Sequence, residues 1–485
     1  MSDYNFLMES RLSTEQFQVL TLLSRVAHAQ GMNLYLVGGA VRDLTYGQQV
    51  VRDLDFTVEG NPQKILRQLE SKRPAGGDLP AIEIDHQHFD TRLNSAEVTF
   101  TNGVRAEIAM SREEIYAKPG RRPDIAPAGI FEDLRRRDFS VNAMAVSLHP
   151  NSRGLLLDPT NGAADIEKRE LRALHTRSFS EDPLRLYRLI RLGQRLDFKP
   201  EERTKIWQES ALENRVWERM DSDQQGRELC ALLQEENPGR VLKALAEMGL
   251  LAGLDRKLAS VRLPYDQFAK IRNVARSVPG ADSFLLNFDC LTTKLGGAQK
   301  VRLAKAIFRD RKTLAMALGL EGAAKKLAKA LAGSKAAQPS QVYSLLVEQP
   351  QPLLLFLLVN YPQAKVQARV KNFLFKFPMA RAKMPRAELL TLGLEAGPKF
   401  EKIFHRLFLD QLDGKIKTHQ QLLKEFRSLA GIKEPEVKPA PKPAARPIAK
   451  PAPKAAAKPA VKTAAKAAAP PAAARKQDHK KKKKR

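Results

Sequence analysis

Leu36-Val37-Gly38-Gly39-Ala40-Val41-Arg42-Asp43, followed ten residues on by Asp53-Leu54-Asp55, decides how this chain is read. An apolar run, Leu34 to Val37, that breaks into Gly-Gly predicts a strand turning tightly into a helix, because glycine accepts backbone angles and close approaches that other residues refuse. Such a turn presents backbone N–H groups that can hold phosphate oxygens at a helix N-terminus. Val51 to Val58 then alternates with period two, so a strand there carries Asp53 and Asp55 on one face. Two adjacent carboxylates repel unless a cation joins them, and magnesium, a hard ion that takes carboxylate and phosphate oxygens, fits the pair best.

Composition narrows the partners. The 485 residues suffice for several domains, and the net charge of +28 suits a polyanion, most simply nucleic acid, or an anionic membrane surface. Residues 433–485 hold 17 Lys or Arg against three acids, a net +14, which leaves +14 on the rest. In that segment Lys, Pro and Ala recur and the only large aliphatics are Val437, Ile448 and Val461, so a disordered basic arm is expected. Only Cys230 and Cys290 occur, too few for a disulfide framework or a cysteine zinc site. The first residues lack a charged stretch joined to an apolar one, and the longest wholly apolar run is Leu353 to Val359; the expectation is a cytoplasmic protein with no membrane partner.

Along the chain, Ser13 caps a helix ending near Gly31, and Asn61-Pro62 opens another over Gln63 to Leu69, followed by a Pro/Gly loop from Arg73 to Pro80. Ala81 to Ile84, Ser95 to Phe100 and Val104 to Ala109 read as strands of one mixed sheet; Glu107 is either a third acid beside Asp53 and Asp55 or an exposed strand glutamate. His86-Gln87-His88 reads as a polar loop rather than a zinc site, and Arg112 to Pro127 as a mobile loop. Asp133 to Ala145 places Arg135, Arg136 and Arg137 before an apolar, small-residue helix. Arginine is poorly placed at a helix N-terminus unless it meets an acid or an anion, here a triphosphate. Ser180 caps a further helix with Pro183 in its first turn, and Asp182, Arg185, Arg188 and Arg191 make a polar stripe at steps of three. That stripe is either an exposed ion-pair ladder or a reader of base edges. An ionised Asp only accepts and an Arg only donates, which suits the amino group and bare ring nitrogen that cytosine and adenine share. Beyond residue 200 the pattern is helix after helix, and Leu353 to Val359 reads as a buried helix.

Gly-Gly-x-x-Arg-Asp before an Asp-x-Asp strand resembles the nucleotidyltransferase core of the polymerase-beta superfamily. With Arg136-Arg137-Asp138-Phe139-x-x-Asn142-Ala143 and Glu181-Asp182-Pro183-Leu184-Arg185, the set resembles the class II tRNA nucleotidyltransferase and bacterial poly(A) polymerase family. Asp158-Pro159-Thr160-Asn161-Gly162-Ala163 resembles another family element, with Ala163 where a second glycine is usual, and is taken as a structural link. The resemblance is close over 34–253 and looser over 254–430. It implies an α+β fold: an N-terminal helix at 1–30, a nucleotidyltransferase head at 31–160, a helical neck at 161–255, a helical RNA-binding body and tail at 256–432, then the arm. It further implies two magnesium ions on Asp53 and Asp55; whether Glu107 is a third metal ligand stays open. Gly38, Gly39, Arg42 and Arg137 would hold a triphosphate, Asp138 and Asn142 the ribose, and Asp182 and Arg185 the base, with Arg188 and Arg191 nearby. CTP and ATP are the substrates so implied, and the acceptor arm of tRNA or another RNA 3′ end, not DNA, the partner.

Within that class CCA, CC-only, A-only and poly(A) addition stay open. Outside it stand an RNA-binding protein without catalysis and a basic scaffold coating RNA or membrane. No His-Asp doublet of the phosphohydrolase type occurs, so no phosphatase activity is expected. The arm separates these classes: deleting 433–485 is expected to leave nucleotide transfer intact while RNA binding weakens and loses salt sensitivity in a salt titration. A scaffold would lose all function.

Overall fold

The computed structural model describes residues 3–47, 51–71 and 82–432. The expected loop from Arg73 to Pro80 and the basic arm lie outside them. The head is built on a seven-stranded mixed sheet with the order β3-β4-β5-β2-β1-β8-β9: β1 (Asn33–Val37), β2 (Leu54–Glu59), β3 (Ile84–Asp90), β4 (Ser95–Phe100), β5 (Arg105–Met110), β8 (Ala145–Ser147) and β9 (Leu156–Leu157). Only β2 and β5 run parallel; the other pairings are antiparallel. Along β2, Leu54, Phe56 and Val58 are buried on one face, where α2 (Thr14–Ala29), α3 (Gly38–Tyr46) and α4 (Pro62–Glu70) pack. The opposite face therefore carries Asp55, Thr57 and Glu59. Tyr35, Val37 and Ala145 on that second face are covered by Ile130 and Leu134 of α5 (Ile130–Arg135), so its remaining strands are left open as the floor of a cleft.

Ser13 caps α2 through a reciprocal capping box with Gln16, and Asn61 caps α4 ahead of Pro62, as their spacing predicts. A preceding helix, α1 (Tyr4–Arg11), has too few apolar positions to stand out in the sequence; Tyr4 and Met8 anchor it.

Four expectations are corrected. Residues Arg112 to Pro127 form a hairpin, β6 (Arg112–Ile115) against β7 (Asp124–Pro127), held through Glu114 by Arg112 and Arg136. His86 and His88 lie on β3, which runs on to Asp90 because β4 supplies its ladder. The arginines at 135–137 do not begin a helix: they end α5, where the helix dipole favours cations, and a short 3₁₀ turn at Ser140–Asn142 leads into β8. Finally, the helix around Pro183 is broken into α7 (Ser178–Glu181) and α8 (Leu184–Leu196), with α6 (Gly162–Lys168) upstream. Ser180 donates to the Arg177 carbonyl instead of capping, and Asp182 accepts from the Leu184 N–H at 3.1 Å in the break.

The remainder is largely helical. Leu353 to Val359 is buried throughout within the helix Gln351–Asn360, and no single described helix is long and apolar enough to cross a membrane. The helix Ser222–Leu233 forms one wall of the cleft and crosses Gly297–Ile307 closely enough that a Cβ on Gly226 would lie 2.4 Å from the Ala306 carbonyl oxygen. Gly226→Ala is therefore expected to destabilise the chain by about 1–3 kcal/mol through overpacking, despite a gain of about 1 kcal/mol in helix propensity, as read by urea unfolding.

Candidate active site

The glycine turn opens the site. Gly38 has φ +65°, and a Cβ there would stand 3.0 Å from Arg137 Nη1 and 3.5 Å from Asp55 Oδ2. On Gly39 a Cβ would stand 3.6 Å from the same Asp55 oxygen. The pair is thus needed for backbone angle at the first position and for close approach at both. Val37 supplies no side-chain cap to α3, so its first-turn N–H groups face the cleft uncapped, save that of Gly38, which donates to the Met144 carbonyl.

Asp55 is crowded by protein yet opens to the cleft, and none of the described residues gives it a hydrogen bond or ion pair. The parallel register sets Glu107 directly beside it, and the antiparallel one sets Glu97 beside Glu107. Burial first, and then Glu107, push the Asp55 carboxyl up to about 7. Glu107 is raised by the surrounding protein and by Glu97. Asp53 falls just before β2 rather than within it; its carboxylate is 2.9 Å from Arg105 Nη2, and both are exposed. Carboxylates that resist ionising together are suited to a divalent cation. Among the described residues no three His, Cys, Asp or Glu are grouped so as to hold a metal ion. One or two carboxylates, with substrate oxygens and water completing the shell, is the arrangement magnesium prefers.

Arg137 reaches over this floor. Its Nη2 donates to Asp133 Oδ2 at 2.9 Å and to Thr57 Oγ1 at 3.3 Å, while Arg136 holds the other oxygen of Asp133 at 2.6 Å. Asp133 is fully buried; burial opposes its charge, but Arg137 and Arg136 outweigh burial and hold its carboxyl below the usual range. The sequence reading passed over Asp133, although its spacing of three and four to the two arginines is the signal of a helical ion pair.

A chain of side chains links the turn to α8. Arg42, buried, donates to Asp43 at 2.8 Å and to Asn142 Oδ1 at 2.7 Å; Asn142 Nδ2 donates to Asp138 at 3.1 Å. Arg188 Nη1 stands 3.8 Å from both Asp138 and Asp182, and Arg185 Nε 3.9 Å from Asp182. Burial opposes the Asp138 charge, yet Arg188 and Asn142 hold its carboxyl low; Arg188 is raised because Asp182 and Asp138 outweigh its own burial. Arg185 is oriented from behind: Nη1 donates to Ser178 Oγ at 2.9 Å and Nη2 to the Arg136 carbonyl at 2.8 Å. Its buried Nε has no hydrogen-bond partner among the described residues and lies on the Asp182 side. Nothing in the sequence marks Ser178 for this role. Arg191 is turned elsewhere, donating to Glu228 and Glu235 at 3.0 and 3.1 Å.

Gly38, Gly39, Asp55, Glu107, Arg137, Asp138, Asn142, Asp182, Arg185 and Arg188 line one cleft of about 900 Å³, with His88 on its rim strand. Asp53, Arg42 and Arg191 line a neighbouring cavity of about 540 Å³ that shares Asp55 and Gly39 with the cleft. The two sites found in the sequence, the acids after the glycine turn and the Asp182–Arg185 pair, thus meet at Asp55.

Residues 34–172 match the family model of the poly A polymerase head domain. The chain is 24% identical over 422 residues to the A-adding tRNA nucleotidyltransferase of Geobacter sulfurreducens, covering 85% of this chain and 47% of that one. It is 38% identical over 226 residues to the CC-adding tRNA nucleotidyltransferase of Deinococcus radiodurans, covering 46% and 56%. The chain thus spans about half the length of the curated relatives it matches. A solved tRNA-processing enzyme with CTP aligns with a TM-score of 0.50 at 23% identity over 81% of this chain and 100% of that one, a likeness of fold. Its head thus matches the poly A polymerase head domain, and the chain is similar to A-adding and CC-adding tRNA nucleotidyltransferases.

Proposed function

We propose that this chain is a template-independent, metal-dependent nucleotidyltransferase that adds C, A or both from CTP and ATP to the 3′ end of tRNA. The observation that carries the reading is the shared cleft, in which an unpaired carboxylate, Asp55, opens onto the same space as Asp182, Arg185 and Arg188. Asp53 and Asp55, with Glu107 alongside, would hold magnesium, which when bound supplies positive charge against the α-phosphate and lowers the pKa of the attacking hydroxyl. The uncapped turn at Gly39 and the guanidinium of Arg137 hold the triphosphate. Asp138 and Asn142 receive the ribose, while Asp182 accepts from the base's amino group and Arg185 Nε donates to its ring nitrogen. The RNA 3′ oxygen bonds to the α-phosphorus as the bond to the bridging oxygen breaks, the hydroxyl proton passes to solvent, and pyrophosphate leaves. The curated relatives include both A-adding and CC-adding enzymes, so transcripts ending before and within CCA, each offered one nucleotide, test which additions this chain makes. No incorporation on any of them would overturn the reading.

Two outcomes follow from the site. Asp55 has a folded pKa above its unfolded value of about 4, so its ionisation costs the cation-free chain stability progressively as pH rises from there to about 7. Magnesium offsets that cost. Its stabilising shift in Tm is expected to be larger near pH 8 than near pH 6, with apparent affinity falling roughly tenfold per pH unit below that pKa, and the pH-dependent part should vanish in Asp55→Asn. Asp182→Ala and Arg185→Ala are each expected to cost about 1–3 kcal/mol of discrimination among CTP, ATP, UTP and GTP, read as ratios of kcat/KM.

A further inference from the structure

A cluster on the cleft wall formed by the helix Ser222–Leu233 lies outside the residues assigned to the nucleotide. Asp223, at the start of the helix Ser222–Leu233, collects three guanidinium groups from three distant parts of the chain. Arg122 comes from the loop of the β6–β7 hairpin, Arg227 from one turn further along the same helix, and Arg309 from just beyond Gly297–Ile307. Arg122 Nη2 and Arg227 Nη1 each donate to Asp223 Oδ2 at 2.6 Å, whereas Arg309 Nη2 stands 3.6 Å from Oδ1. A second acid, Asp221, is 3.6 Å from Arg122 Nε and accepts from the Gln224 N–H as the helix cap.

Each guanidinium has five N–H donors. Among the described residues Arg122 and Arg227 spend one hydrogen bond each and Arg309 none. The three side chains are 43%, 43% and 70% exposed and line the cleft onto which Asp55 opens. Half-exposed, converging guanidiniums with unspent donors and more positive than negative charge are suited to a tetrahedral oxyanion. The triphosphate already has its cradle at Gly39 and Arg137, so the anion left for this wall belongs to the strand being extended.

We infer that Arg122, Arg227 and Arg309 bind a backbone phosphodiester of the RNA 3′ strand, which replaces Asp223 as their counter-charge; this rests on the chain being an RNA 3′-end transferase. Because the three arginines come from the head hairpin and from two separate helical segments, one phosphate joins all three.

Fluorescence anisotropy of the full chain with a hairpin RNA bearing a single-stranded 3′ tail, across a salt series, tests the site. Replacing all three arginines by Gln should weaken binding at least about tenfold and make the log–log salt slope shallower by about 1, with Tm and CTP binding in the absence of RNA unchanged. The loss should disappear with a blunt hairpin lacking the tail. Asp223→Asn should tighten tailed-RNA binding several-fold, because it removes the competing carboxylate. Unchanged RNA affinity and slope in the triple variant would overturn the site, as would a loss confined to CTP, which would make it a triphosphate site. Weakened binding in Asp223→Asn would make the cluster a structural latch and overturn it too. No RNA affinity in the unaltered chain would overturn the transferase reading itself, and this site with it.

Discussion

The carboxylate of Asp55 is kept in the open by what is missing around it. Gly38 and Gly39 place no side chain between it and the turn, and no described residue gives it a hydrogen bond or ion pair. Such a group is costly in a crowded site, which is why its carboxyl is pushed toward neutrality and why it is suited to a cation arriving with substrate. The surrounding architecture preserves that vacancy of charge. The parallel pairing of β2 with β5 brings another acid alongside, and the cation that acts on it most, Arg137, is restrained by Asp133 and Thr57.

Restraint of arginines is the recurrent device. Arg137 leans on buried Asp133, Arg42 on Asp43 and Asn142, and Arg185 on Ser178 and the Arg136 carbonyl. Buried ion pairs of this kind add little net stability, because desolvation consumes most of the Coulomb attraction. Their effect is positional: each guanidinium is fixed from behind, so that Arg137 and Arg185 line the cleft and Arg42 the cavity beside it. The connected path from Arg42 through Asn142, Asp138 and Arg188 to Asp182 ties the turn on the sheet to α8 and to the break before it. A shift in either element is therefore felt by the other.

Helical elements close the cleft from the far side. Arg191 and Arg195 bind Glu235, with Glu228 also on Arg191, which holds α8 against the helix Ser222–Leu233. The hairpin reaches that helix as well, through Arg122 to Asp223, and it reaches α7 through the Gly120 N–H to the Glu181 carbonyl. Most of these residues carry opposite charges on elements remote in the chain, so each pair forms only once the helices have packed.

By itself the sequence determined what depends on near neighbours. The glycine turn, the alternation that puts Asp55 on the open face of β2, the caps at Ser13 and Asn61 and the buried helix at Leu353 to Val359 are all written in spacings of two to four residues. The motifs around Asp53, Arg137 and Asp182 were legible for the same reason. Tertiary structure alone decided the rest. Glu107 became the neighbour of Asp55 through a strand register across fifty residues, and Arg112 to Pro127 became a hairpin through Arg136. Leu184 became the start of α8 because Asp182 accepts its N–H where Pro183 breaks the turn. Arg191 was drawn to Glu228 and Glu235 although its spacing is that of Arg185 and Arg188. Local periodicity names a residue's face on its own element, whereas the partner that waits on that face is chosen by packing between elements that the spacing of either one does not specify.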